Sequence, residues 1–187
     1  VEALSIATGR QLLDVAVSAP ARVWLWNGED PRDELDRRII AACKHYKIAQ
    51  ADIADRLLVD SGREQELIVA TRIGGEAVVQ VPVVDGLIAA IRDRQIDVMV
   101  VDPFVSSHRV SENANEEIDR VVKAWNRVAD ATNCAIELVH HSRKTNGAEV
   151  SVEDSRGASS LLAAARSARA LNSMTQADAD TFGIAED

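Results

Sequence analysis

Glu29, Asp102 and the pair His140–His141 each stand just past the end of a short apolar run, and these residue types suit phosphate chemistry. Residues 22–27 read Arg-Val-Trp-Leu-Trp-Asn and lead into Gly28-Glu29-Asp30-Pro31. Residues 96–101 read Ile-Asp-Val-Met-Val-Val and lead into Asp102-Pro103. Residues 135–139 read Ala-Ile-Glu-Leu-Val and lead into His140-His141-Ser142-Arg143-Lys144. In a parallel α/β sheet, ligands bind at the carboxyl ends of the strands. Three such ends offer a base, a metal-holding carboxylate and a phosphate sensor along one edge, an arrangement suited to nucleotide hydrolysis. Each residue has a plainer reading. Asp102 can cap a loop, Glu29 can sit at a helix N-terminus where acids are favoured, and a strand histidine is often a packed core residue. Successive strand side chains point to opposite faces, so one histidine of the pair can pack while the other faces the ligand edge.

The elements that must hold these residues alternate along the chain. Residues 1–16 carry helical apolar spacing, interrupted at Thr8-Gly9-Arg10. Residues 22–27 form a strand with bulky Trp24 and Trp26. Pro31 suits the first turn of the next helix, with Asp30 as its cap, and Leu35, Ile39, Ile40 and Cys43 follow its buried face. A short strand is expected at 56–59, and a hairpin within 66–81 turns at Gly74-Gly75. Helices are expected at 82–92 and 115–131, with buried strands at 96–102 and 134–140. Residues 142–156 read as a loop, 157–165 as a short helix, 166–171 as a further strand and 175–182 as a capped helical turn. Such alternation predicts one α/β domain over 1–187, with a mostly parallel sheet and helices on both faces.

Composition sets the outer bounds. The 187 residues are 47% hydrophobic and 27% charged, ordinary for a globular domain. No apolar run approaches the roughly 20 residues that span a bilayer, and no basic segment opens a secretory signal. Cys43 and Cys134 lack metal-ligand spacing and read as buried thiols of a cytoplasmic protein. The net charge of -9 argues against a broad nucleic-acid surface. Local basic loops remain: His108 and Arg109 after one ligand-edge strand, Arg143, Lys144 and Arg156 after another. Acidic neighbours dilute both loops, and no aromatic cluster offers a stacking platform.

Four motifs, taken in order, carry a resemblance: residues 26–31 (Trp-Asn-Gly-Glu-Asp-Pro), 100–103 (Val-Val-Asp-Pro), 138–144 (Leu-Val-His-His-Ser-Arg-Lys) and 154–159 (Asp-Ser-Arg-Gly-Ala-Ser). With the tail at 166–174, the chain resembles the RecA-like hexameric helicases of the plasmid RepA family and the related phage and chromosomal AAA or RepA-like ATPases. That likeness covers nearly the whole chain. It implies a RecA-like P-loop core using ATP and Mg²⁺ in a homo-oligomeric ring, a hexamer, acting on DNA, single-stranded in particular, without a membrane. It also implies roles: Glu29 as catalytic base, Asp102 as the Walker B carboxylate holding Mg²⁺ through water, and His141 as the γ-phosphate sensor where relatives carry Gln. Lys144 would help read the phosphate. Arg166 would be an arginine finger reaching the neighbouring subunit's nucleotide, or more plainly a salt-bridged strand-edge residue.

One departure is serious. No phosphate loop of the form G-x-x-x-x-G-K-[ST] occurs in the 187 residues, and Gly74-Gly75 lacks the Lys. Residues 1–7 resemble the helix that follows such a loop, so the expectation is a fragment whose loop lies upstream, with this chain alone binding nucleotide poorly and inactive. Three functions remain open at this point: a replicative helicase or translocase, a non-motor ATP-dependent assembly switch, and a structural subunit that only completes a neighbour's site through Arg166.

Overall fold

The computed structural model describes residues 1–142, 149–154 and 159–183. Helix α1 (Glu2–Thr8) ends on Gly9, whose φ of 68° closes the helix in the left-handed region that suits glycine. Leu12 and Leu13 therefore lie beyond the helix and not on its expected continuation. Strand β1 (Val23–Asn27) follows, then α2 (Arg32–Tyr46), the short α3 (Gln50–Ile53) and β2 (Leu57–Ser61). The hairpin of β3 (Ala70–Ile73) and β4 (Glu76–Val79) turns at Gly74-Gly75, both with positive φ. Helix α4 (Val81–Arg94), β5 (Val98–Asp102), a 3-10 turn (Phe104–Ser107), β6 (His108–Arg109), α5 (Asn115–Thr132) and β7 (Ala135–Leu138) complete the core. Helices α6 (Ser160–Ala164) and α7 (Gln176–Phe182) lie beyond it. Thr175 caps α7 in a reciprocal capping box with Asp178.

The main sheet has the order β2-β1-β5-β7, and every neighbouring pair is parallel. Its alternating side chains divide between two faces. Trp24, Trp26, Met99 and Val101 point into the larger core with Val84, Leu87, Ile88 and Ile91 of α4 and Ile118, Val121, Trp125 and Val128 of α5. Val23 and Val100 point the other way, against Ala7 of α1, with Leu25, Val98 and Ile53 around them. Helices thus flank the parallel sheet, as the sequence leads one to expect.

Several local expectations change. A second, three-stranded sheet of order β4-β3-β6 forms because the 108–109 segment, read as loop, pairs in parallel with β3. On α2 only Leu35 is buried, and Ile40 is 54% exposed, so helical spacing overstated that helix's buried face. Pro31 is the extended residue before α2, not its first turn, and no side chain caps the helix. Asp30 instead reaches Arg38 at 2.7 Å. Residues 167–171 form no strand and pair with none among the described residues, so the expected strand at 166–171 does not form. Among the described residues, no helix is long and apolar enough to cross a membrane.

Trp125 is 1% exposed at the centre of the larger core, and its Nε1 donates to Ser107 Oγ at 3.4 Å. Replacing it with Ala is expected to cost about 3–5 kcal/mol in urea denaturation. Ile40→Ala, on the open side of α2, should change stability by no more than about 0.5 kcal/mol. A cost for Ile40→Ala comparable to that of Trp125→Ala would restore the buried face the sequence suggests.

Candidate active site

The site begins as a matter of strand register. Parallel pairing sets Asn27 opposite Asp102 on one side and opposite Ser61 on the other. Three carboxyl ends thus reach the same edge level. The chain leaving β1 stays attached to β5, because the Gly28 N–H donates to the Asp102 carbonyl at 2.7 Å. Only a residue without Cβ fits there: a Cβ on Gly28 would stand 2.4 Å from the Cβ of Ser106. Gly62 is equally confined, since its Cβ would come within 2.8 Å of the Gly28 Cα.

Beyond Gly28, the backbone of Glu29 and Asp30 is fastened from several sides. Asn27 Oδ1 accepts from the N–H of Glu29 at 3.0 Å and from the N–H of Asp30 at 2.8 Å. Arg63 Nε donates to the Glu29 carbonyl at 2.6 Å, and Ser61 Oγ donates to the Asp30 carbonyl at 2.6 Å. The Glu29 carboxylate itself is exposed, and its Oε1 lies 3.8 Å from His141 Nε2. Asp102 is half-buried and receives a long 3.4 Å hydrogen bond from Asn27 Nδ2. Burial pushes the Asp102 carboxyl above its ordinary value, and the negative charge of Glu29 adds to the rise. His141 and the Asn27 amide oppose it, and Asp30 adds a smaller push upward. Glu29, Asp102 and His141 are therefore neighbours at one sheet edge.

The histidine pair divides its work by direction. His140 is half-buried with its ring edge-on to Phe104, at 5.7 Å between centroids, while His141 is exposed beside Glu29. His108 departs from its expected place on a nucleic-acid loop. It is a β6 residue only 5% exposed, its ring tilted against Phe104 at 4.8 Å between centroids, so it offers no surface to a polymer. Burial depresses its pKa, with Glu112 and the Val110 backbone opposing the fall and His140 adding to it. Arg109 is exposed but forms an ion pair with Glu66, which takes up its charge. Arg166 is exposed after α6 and forms no hydrogen bond or ion pair among the described residues. Arg143, Lys144 and Arg156 lie outside the described residues. Cys134 is buried, with its thiol pushed up to about 11 by burial, and Cys43 is half-buried; both are free, as their spacing suggests.

Sequence reasoning missed Asn27, Arg63 and Arg169. Asn27 stands inside the quoted 26–31 motif, and its signal was an amide closing an otherwise apolar strand. Arg63 had no signal, because its partner is a backbone carbonyl 34 positions away. Arg169 binds both Glu137 of β7, at 2.7 Å, and Glu2 of α1, tying the tail to the core.

The donor set fits a hydrated Mg²⁺ better than a caged metal. No group of three or more His, Cys, Asp or Glu residues is arranged to hold an ion directly among the described residues. A half-buried carboxylate whose charge is opposed by burial and by a second acid favours a cation nearby, and Mg²⁺ commonly keeps its waters while using one or two carboxylates plus phosphate oxygens. Asp102 is the residue that would hold such an ion.

The rise in the Asp102 pKa sets the sign of a stability test. The folded state binds this proton more tightly than the unfolded chain, so ionising Asp102 costs folded stability as pH rises through and above the ordinary carboxylate range. Without divalent cation, Asp102→Asn should therefore melt at a higher temperature than the unsubstituted protein at pH 7. The difference should close as pH falls through that range. A variant that melts lower at pH 7 and equally in acid would reverse the assignment.

A family model described as AAA domain matches residues 1–147, well over half of the 187. The matched span contains α1, the parallel sheet and the strand ends bearing Glu29, Asp102 and His141. The chain belongs to the AAA domain family, the AAA-type ATPases of the RecA-like superfamily.

Proposed function

We propose that the full-length protein hydrolyses ATP with Mg²⁺ as a ring-forming RecA-like motor, a DNA helicase or translocase serving replication of a plasmid, phage or integrated element. The observation that carries the catalytic part is the meeting of Glu29 and His141 at 3.8 Å beside the half-buried Asp102. Glu29 is exposed and takes a proton from a water aligned on the γ-phosphorus; the bond from that phosphorus to the ADP oxygen breaks as the new P–O bond forms. Asp102 would hold the hydration shell of a bound Mg²⁺, whose chemistry would be to offset charge on the phosphate oxygens. His141, exposed at the same edge as Glu29, would sense the γ-phosphate by hydrogen bonding one of its oxygens. Lys144 would help read the same phosphate.

Arg166 completes the site of the neighbouring subunit in this reading. Its exposure, and its lack of partners among the described residues, suit a group whose counter-charge comes from another chain. Arg143, Arg109 and Arg156 would face single-stranded DNA in the ring channel, with Arg109 first leaving Glu66. His108 drops out of that set because it is buried.

Turnover by point variants of the full-length protein tests the base and the metal carboxylate. Glu29→Gln should bind nucleotide yet lose about 10²–10⁴ in rate, the range general-base catalysis supplies. Asp102→Ala should also lose Mg²⁺-dependent binding. Near-normal hydrolysis by Glu29→Gln removes it from the role of base.

The shared site is tested by mixing Arg166→Ala with Asp102→Ala subunits. Each alone should be inactive, since an arginine finger contributes about 10³–10⁵ in rate. Mixed rings contain some interfaces with both residues intact, so activity should return. If mixed rings form and turnover stays at the separate level, Arg166 does not act across the interface. DNA-stimulated turnover separates the motor from an assembly switch, which would hydrolyse without it.

A further inference from the structure

A buried amide at the end of β1 bonds the backbone of Glu29 and Asp30 and the carboxylate of Asp102, and none of the roles given so far uses it. Asn27 is 7% exposed. Its Oδ1 accepts from the N–H groups of Glu29, at 3.0 Å, and Asp30, at 2.8 Å, while its Nδ2 faces Asp102 Oδ2 at 3.4 Å. The two N–H donors fix which end of the amide is oxygen, so the NH₂ end must point at Asp102.

We propose that Asn27 is a positioning residue for hydrolysis: its single side chain fixes the backbone that aims Glu29 and spaces Glu29 from the metal-holding Asp102. The inference rests on the ATPase reading above. Glu29 needs such a device because its carboxylate is exposed. Its main chain is the part the fold controls, and Asn27 holds that main chain from the buried side. Arg63 and Ser61 hold the neighbouring carbonyls from the β2 side. A side-chain oxygen bonding N–H groups two and three positions ahead is the local turn that Asn and Asp make. Asn alone adds a donor for the carboxylate across the strand pair. Asp in this place would keep the turn but set a third negative charge against Asp102 and Glu29. Leu matches the shape and offers neither donor nor acceptor.

The test uses the full-length protein with Asn27→Leu and Asn27→Asp, read by amide hydrogen exchange at Glu29 and Asp30 and by steady-state turnover. In Asn27→Leu both amides should exchange about tenfold faster. Its kcat should fall about 100-fold, the cost of a small misplacement, while the KM for ATP changes by less than about threefold. Asn27→Asp should keep the slow exchange and exceed the Leu variant in kcat by about tenfold at saturating Mg²⁺. A folded Asn27→Leu with unchanged kcat overturns the proposal, as does Asn27→Asp with protected amides and a kcat no better than Leu. Should Asn27→Leu fail to fold by circular dichroism, Asn27→Ser replaces it, with faster exchange at one or both amides and reduced kcat expected and unchanged kcat overturning. Glu29→Gln run alongside separates the two readings. If it turns over normally, the site reading fails and Asn27's role with it; if it is inactive while Asn27→Leu is normal, only the role of Asn27 falls.

Discussion

The parallel pairing of β1 with β5, in the register that sets Asn27 against Asp102, is the constraint on which the rest of the site depends. A one-residue slip would turn every side chain of β1 to the opposite face of the sheet. Trp24 and Trp26 would leave the larger core, and Asn27 would no longer stand level with Asp102. The register is therefore held by the same apolar burial that stabilises the fold. Trp26 also donates from its Nε1 to the Gln65 carbonyl, and Trp24 donates to Asp60, so both indoles are anchored at their polar edge as well as by packing. Core and site are two consequences of one alignment.

Charge is distributed very differently on the surface and at this edge. Along α2, Arg38 meets Asp30 and Glu34, and Arg37 meets Asp33 and Glu34. These exposed pairs each contribute little, because water and salt screen them. At the carboxyl edge, the carboxylates of Glu29 and Asp102 form no ion pair with a Lys or Arg among the described residues; Glu29 faces His141, which is charged only when protonated. Burial strengthens the resulting field around Asp102. In the proposed function, a hydrated divalent ion bound at this edge would offset that charge. Glycines serve the same end. Gly28 and Gly62 let two backbones approach so closely that the acidic turn sits directly on the sheet edge.

The tail shows how an exposed segment stays tied to such a core. Arg169 spans Glu137 on the last strand and Glu2 at the start of α1, two elements that belong to opposite ends of the chain. Its neighbour three positions back, Arg166, makes no such bond among the described residues. Two arginines of one segment thus divide into one used within the chain and one left exposed.

The alternating and continuous apolar runs at β1, β5 and β7 were legible from the residues alone, because strand burial has a period that composition must obey. With them came the parallel sheet and the strand ends carrying Glu29, Asp102 and His141. The Gly74-Gly75 hairpin was equally readable, since a tight turn demands positive φ. Tertiary structure decided what depends on distant partners. Ile40 repeats at core spacing yet is exposed, because spacing names a face without saying what covers it. His108 follows a ligand-edge strand like any loop residue, but β3 arrives beside it and turns it into a buried strand residue. Asn27 looks like one more polar strand end until its amide is seen between two backbone N–H groups and a carboxylate 75 positions away. Periodicity is a local property that the sequence must carry in full. Partnership across 30 to 75 residues is fixed only when the chain closes, and the geometry of this site is made of such partnerships.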